Sequence, residues 1–152
     1  MRYFAARSSN NYAFKFSSDH LLQGERMKSE FQREMEEQGE ALRRMVKFYR
    51  KDGRSSLEEW TEMLRRTREK GGNLIFSGMG TSFISPFVIR PLLSSRGIAS
   101  FMFEAGEFLH YGLGTVRSKD LIVLISQSGE SIETCRVAKE LGGLCPIIAI
   151  VN

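Results

Sequence analysis

The sequence predicts an α/β protein. The expected architecture has three layers, α/β/α, around a doubly wound parallel sheet of four strands in a flavodoxin-like order, with two amphipathic helices in front. Three observations carry this. From residue 73 onward, short apolar runs alternate with helix-length segments, which implies crossover units and parallel strands. The run Leu121–Ile125 is continuously apolar, as a strand covered on both faces must be. Upstream, Phe31, Met35, Leu42, Met45, Val46 and Tyr49 recur at helical spacing with charges between them.

Composition bounds the rest. The chain has 152 residues, 41% hydrophobic and 26% charged, with 11 phenylalanines, which is room for one domain with its own core. No apolar run approaches the ~20 residues a membrane span needs, so no membrane partner is expected. Two cysteines, Cys135 and Cys145, make no disulfide framework and point to a reducing, cytoplasmic setting. Residues 1–72 carry 16 Lys+Arg against 12 Asp+Glu, whereas residues 73–152 carry 6 of each. The basic surplus therefore belongs to the first half, where Arg43, Arg44, Lys47, Arg50 and Lys51 share a segment with Glu34, Glu36, Glu37 and Glu40. Mixed charge of this kind is a solvated helix face, and no aromatics interleave with it as a nucleic-acid groove would require.

Along the chain, residues 1–26 are rich in Ser, Asn and aromatics without a period, and read as a disordered or mis-started segment ahead of Met27. A first helix is expected from Met27 to Asp52-Gly53. Ser55 and Ser56, with Glu58 and Glu59 three residues on, read as overlapping capping boxes that start a second helix, which Gly71-Gly72 ends. Asn73–Ser77 reads as the first strand and Thr81–Ser95 as a helix disturbed by Pro86 and Pro91, with Ser85-Pro86 available as a later helix start. Ile98–Phe103 is the second strand, Ala105–Tyr111 a short helix, Leu121–Ile125 the third strand, Ser131–Leu141 a helix, and Ile147–Val151 the fourth strand. That strand has no helix after it, so a partner or further chain is expected to cover it.

Two turns carry the chemistry. Gly78-Met79-Gly80-Thr81-Ser82 follows the first strand, and Ser126-Gln127-Ser128-Gly129-Glu130-Ser131 follows the third. Each delivers glycine and hydroxyl residues to a helix N-terminus, where free N–H groups and the helix dipole favour an anion. A P-loop is excluded because no lysine precedes Thr81-Ser82, and a dinucleotide fingerprint because Phe83 stands where its third glycine belongs. Hydroxyls without metal ligands or a fixed cation suit the monophosphate of a polyhydroxy compound, with no metal and no cofactor. In strand order 2-1-3-4 the first and third strands are neighbours at the switch point, so the two turns are expected to face each other across one crevice.

The strand followed by Gly78–Ser82, together with Leu124-Ile125-Ser126-Gln127-Ser128-Gly129-Glu130-Ser131, resembles the sugar isomerase (SIS) domain family. It is most similar to the isomerase half of glucosamine-6-phosphate synthase (glutamine–fructose-6-phosphate aminotransferase) and to stand-alone sugar isomerases. Glu34–Gln38 with Glu40–Leu42, Glu107-Phe108 and Ala149–Asn152 add to the likeness, which runs from about Met27 to Asn152. The resemblance implies sugar-phosphate contacts at Gly80, Thr81, Ser82, Ser126, Gln127, Ser128, Gly129 and Ser131, Ser131 standing where the family has threonine. It divides the chain into a helical segment, 27–72, and a phosphosugar-binding domain, 73–152, that is an incomplete SIS fold, with a homodimer or a second SIS domain as partner. The family's proton-transfer residues lie downstream and are not in this sequence. Local candidates for a base are Glu104, Glu107, His110 and Glu130, of which Glu107 and His110, three apart, would share a helix face. His110–Gly114 is similar to the arabinose-5-phosphate isomerases, which use a single SIS domain. The implied activities are thus a sugar-phosphate isomerase or aminotransferase of amino-sugar metabolism, a single-domain isomerase, or a non-catalytic phosphosugar sensor or inactive fragment. Cys135 is expected to be a buried small hydrophobe.

Overall fold

A computed structural model describes residues 29–151. The expected segment 1–26 and the helix start at Met27 lie outside the described residues. Two compact units divide inside the second helix, one ending at Glu58 and the other running from Glu59.

In the first unit, α1 (Glu30–Arg50) begins at a capping box. Ser29 Oγ accepts the Gln32 N–H at 3.2 Å, and Gln32 Oε1 accepts the Ser29 N–H at 3.0 Å. Its end is set by Gly53, whose N–H donates to the Phe48 carbonyl at 2.9 Å. A Cβ at Gly53 would stand 2.6 Å from the Phe48 ring, so a glycine is needed where the chain doubles back. The helix α2 (Arg54–Glu69) starts at Arg54, ahead of Ser55 and Ser56. Those serines lie inside the helix, which corrects the expected capping boxes: the turn at Gly53 brings the chain into helical geometry before either serine can cap it.

In the second unit, four strands form a parallel sheet in the order β2-β1-β3-β4, as expected for a doubly wound fold. They are β1 (Leu74–Gly78), β2 (Ser100–Glu104), β3 (Leu121–Ser126) and β4 (Ile147–Val151). The central pair is buried on both faces, which is why their sequences are apolar without alternation. On one face Leu74, Phe76, Leu121 and Val123 pack with Leu93 and Ile98, and with Trp60, Met63 and Leu64 of α2. On the other, Ile75, Ile122 and Leu124 pack with Phe108, and with Val137 and Leu141 of α6 (Ile132–Leu141). Alternate residues of each strand thus supply the two cores.

Two expected helices are broken. Thr81–Ser95 divides into α3 (Thr81–Ile84), a 3₁₀ turn Ser85–Val88 and α4 (Arg90–Ser95). Pro86 and Pro91 lack the N–H that a continuous helix needs and sit in first-turn positions instead. Ala105–Tyr111 is α-helical only over α5 (Ala105–Glu107), after which Phe108–Gly112 widens into a π turn. The fully buried Phe108 ring stacks on Phe103 at 4.8 Å and fills the space a side chain at Gly112 would occupy, 2.4 Å from that Cβ position.

The amino ends of β1 and β3 are tied by Asp120, which is fully buried. One carboxylate oxygen accepts the Asn73 N–H and the other the Arg117 N–H, both at 2.8 Å. An alanine here would strand two backbone donors away from water. Asp120→Ala is therefore expected to lower the stability to urea by about 2–4 kcal/mol; an unchanged unfolding midpoint would contradict the role given to this carboxylate.

Candidate functional site

The site is built at the carboxyl ends of β1 and β3, which are hydrogen-bonded neighbours with Gly78 in register with Ile125. A Cβ on Gly78 would lie 2.7 Å from the Ile125 carbonyl oxygen and 3.1 Å from the Ser82 Cβ. Only glycine lets the first turn fold this tightly over the end of β3. Gly80 then takes φ +52° and hands the chain to α3, where the Phe83 and Ile84 N–H groups both donate to its carbonyl. Thr81 is exposed and Ser82 half-buried. Because α3 has only four residues, it contributes little dipole, and the expected full-helix N-terminus at this turn is corrected to a short one.

The second turn is braced by its own hydroxyls. Ser126 Oγ accepts the Gly129 N–H at 3.1 Å, and Ser128 Oγ accepts the Glu130 N–H at 3.1 Å. A serine hydroxyl has one proton and two lone pairs. Accepting from the backbone fixes the oxygen and leaves the proton to be given to an incoming acceptor. Ser126 is buried, Gln127 and Ser128 are exposed, and Gly129, half-buried, turns the chain at φ +71°. Ser131 precedes α6 but makes no side-chain cap bond, contrary to the ordinary N-cap role. Its oxygen instead accepts from Thr134 Oγ1 at 3.2 Å. Thr134, 5% exposed, is a supporting residue the sequence reading missed; the hydroxyls at 131 and 134, one helical turn apart, were the signal.

Cys135 corrects a second expectation. It is exposed, and its thiol donates to the Gly129 carbonyl at 3.3 Å, so it braces the second turn from outside rather than filling a core. Ser77 was also passed over. It lies on β1 beside Leu124 with a buried hydroxyl that has no hydrogen-bond partner, on the sheet face shared with Ser126.

Of the candidate acids and the histidine, Glu104, Glu107 and His110 lie elsewhere on the same edge. Glu104 ends β2 in register with Gly78, and its carboxylate accepts the Glu107 N–H at 3.0 Å as a helix cap. Glu107 and His110 are exposed, and the change from α to π geometry after Glu107 removes the regular helix face they were expected to share. Glu130 is exposed on the second turn. Thus the structure sets the two hydroxyl turns after adjacent strands, and places Glu107 and His110 after the strand on the far side of β1 from β3.

The two thiols differ in reactivity on physical grounds. Burial, with a contribution from the Asp120 charge, pushes the Cys145 thiol up to about 11. Its unfolded value is near 9, so between pH 9 and 11 the unfolded chain loses this proton first, and stability falls as pH rises through that window. At pH 8 a disulfide reagent is expected to label exposed Cys135 well ahead of Cys145; equal rates would contradict the assignment.

Comparison with known proteins places this geometry in a family. Residues 68–152 match the SIS domain. Arabinose 5-phosphate isomerase KpsF of Escherichia coli O6:H1 is 39% identical over 82 residues, covering 53% of this chain and 25% of the relative. Glutamine–fructose-6-phosphate aminotransferase (isomerizing) of Methanothermobacter thermautotrophicus is 33% identical over 102 residues, covering 65% of this chain and 17% of the relative. The crystal structure of tagatose-6-phosphate ketose/aldose isomerase from Escherichia coli superposes with a TM-score of 0.64 at 22% identity, over 79% of this chain and 34% of that one, a likeness of fold. The chain spans between about a sixth and about a third of the length of these relatives. With its matching parallel sheet, and a family match over more than half its length, the chain belongs to the SIS domain family.

Proposed function

We propose that this chain binds a sugar phosphate, with the phosphoester on the Ser126–Ser131 turn and the sugar between that turn and Gly80–Ser82. The observation that carries the reading is the pair of braced serines: Ser126 and Ser128 accept backbone N–H groups, which leaves their hydroxyl protons available to a phosphate oxygen. Gly80, Gln127 and Gly129 shape the cradle, and Thr81, Ser82 and Ser131 supply further hydroxyls. The relatives' names add the substrate class, since KpsF acts on arabinose 5-phosphate and the aminotransferase on fructose 6-phosphate. In the whole protein we assign the domain to a ketose/aldose-phosphate isomerase or an aminotransferase of amino-sugar metabolism, in the cytoplasm, working beside a second copy or a second SIS domain. Among the described residues no helix is long and apolar enough to cross a membrane.

A second reading, a single-domain isomerase of the arabinose 5-phosphate type, is favoured by the 39% identity to KpsF over 82 residues. It needs a base from this chain, for which Glu107 and His110 are the candidates, whereas a phosphosugar sensor would bind without turnover.

Calorimetric titration of the full chain with fructose 6-phosphate, glucosamine 6-phosphate and arabinose 5-phosphate tests the reading. Binding of at least one is expected, weakened by Ser128→Ala about ten- to a hundredfold, the cost of one hydrogen bond to a charged group. Absence of heat with all three would contradict it. Turnover of arabinose 5-phosphate that His110→Ala abolishes would select the single-domain enzyme.

A further inference from the structure

We propose that Ser77 is a positioning residue of the sugar-phosphate site: through one bridging water, its buried hydroxyl keeps the Ser126 hydroxyl donating to a bound phosphoester. The inference rests on the reading of the Ser126–Ser131 turn given above and deepens it by one residue. Ser77 is the last side chain of β1 before Gly78 and is 1% exposed. Its oxygen has no hydrogen-bond partner among the described residues. A buried hydroxyl left in this state destabilises the fold. An alanine would avoid the penalty, because the neighbours in register, Phe103 and Leu124, are apolar. The face Ser77 shares with Ile75 is packed by Phe108 and Val137, which offer no polar atom from their side chains. Packing of the sheet therefore does not call for an oxygen here, and the site above the sheet does.

Ser126 is the hydroxyl that Ser77 can serve. Ser77 is in register with Leu124, and Ser126 lies two residues beyond Leu124, so both serines stand on one face of adjacent strands. A strand spacing of about 4.8 Å and a rise of about 3.3 Å per residue put their Cα atoms about 8 Å apart. That is too far for a direct bond between two such short side chains and within reach of one bridging water. The donor count gives the direction. Ser126 Oγ has one proton and two lone pairs, and the Gly129 N–H occupies one lone pair at 3.1 Å. If the proton goes to the phosphate, the oxygen can only accept from below. A water that takes the Ser77 proton has its own proton to give to that second lone pair. The chain then runs one way, from Ser77 through the water and Ser126 to the phosphate, and each donation polarises the next. Without the Ser77 hydroxyl nothing orients the water, and Ser126 can turn its proton down to it instead of up to the ligand.

The test pairs affinity with stability in the full chain. Affinity for arabinose 5-phosphate, fructose 6-phosphate and glucosamine 6-phosphate is read by amide NMR titration, and the melting temperature is read without ligand. Ser77→Ala is expected to weaken binding about three- to tenfold, the effect of one hydrogen bond, while the free chain melts at the same temperature or higher. Ser77→Thr keeps the hydroxyl and is expected to hold the affinity within about threefold of the unaltered chain. In a Ser126→Ala background, Ser77→Ala should change the affinity less than about twofold, because its effect passes through Ser126. No binding of any of the three by the unaltered chain overturns the site reading and this inference with it. Binding that Ser77→Ala leaves unchanged overturns this inference alone, as does a loss that is undiminished in the Ser126→Ala background. A Ser77→Ala chain that melts lower, or does not fold, shows a hydroxyl already used by the fold and also overturns it.

Discussion

The close approach of Gly78 to the end of β3 is the constraint on which the site depends. With no side chain at this position, the last residue of β1 sits against the Ile125 carbonyl, and the first turn bends over the neighbouring strand. Any Cβ there would have to displace backbone, not a flexible side chain. The parallel sheet does the rest. Buried β1 and β3 end one step apart in register, so the turns that follow them emerge at the same edge of the same layer. Turns distant in sequence thereby follow neighbouring strands, at the edge where open α/β sheets bind ligands.

The second turn shows how a short polar segment is held ready at little cost. Its serines are tied through their oxygens to the backbone N–H groups of Gly129 and Glu130, Thr134 holds the Ser131 oxygen, and the Cys135 thiol holds the Gly129 carbonyl. These bonds lie within one strand–turn–helix unit, so the turn is shaped by local sequence. Asp120 fixes the opposite end of the same strands, so the sheet is anchored at one edge and open to chemistry at the other.

Much of this was legible in the sequence because it rests on patterns with short-range causes. The continuous apolar runs of β1 and β3 follow from burial on both faces, and Gly129 from a positive φ. Strand order followed from the preference of alternating elements for crossover units. What the sequence hid depends on contacts between distant residues or on competition between caps. Ser55 and Ser56 had the capping spacing, yet the turn at Gly53 started α2 before them. Glu107 and His110 had helical spacing, yet Phe108 and Gly112 widen the turn between them and its end. Cys135 had the helix position of a core residue, but faces solvent at the turn. Thr134 was marked only by its spacing of one helical turn from Ser131, the hydroxyl it donates to.

The most direct measurement of the central idea, that both hydroxyl turns grip one ligand, is a backbone amide NMR titration of the full chain with arabinose 5-phosphate. The account predicts that the amides of residues 78–82 and 126–131 shift together, along one saturation curve. Shifts confined to one turn, or saturating elsewhere in the sheet with both turns unmoved, would contradict it.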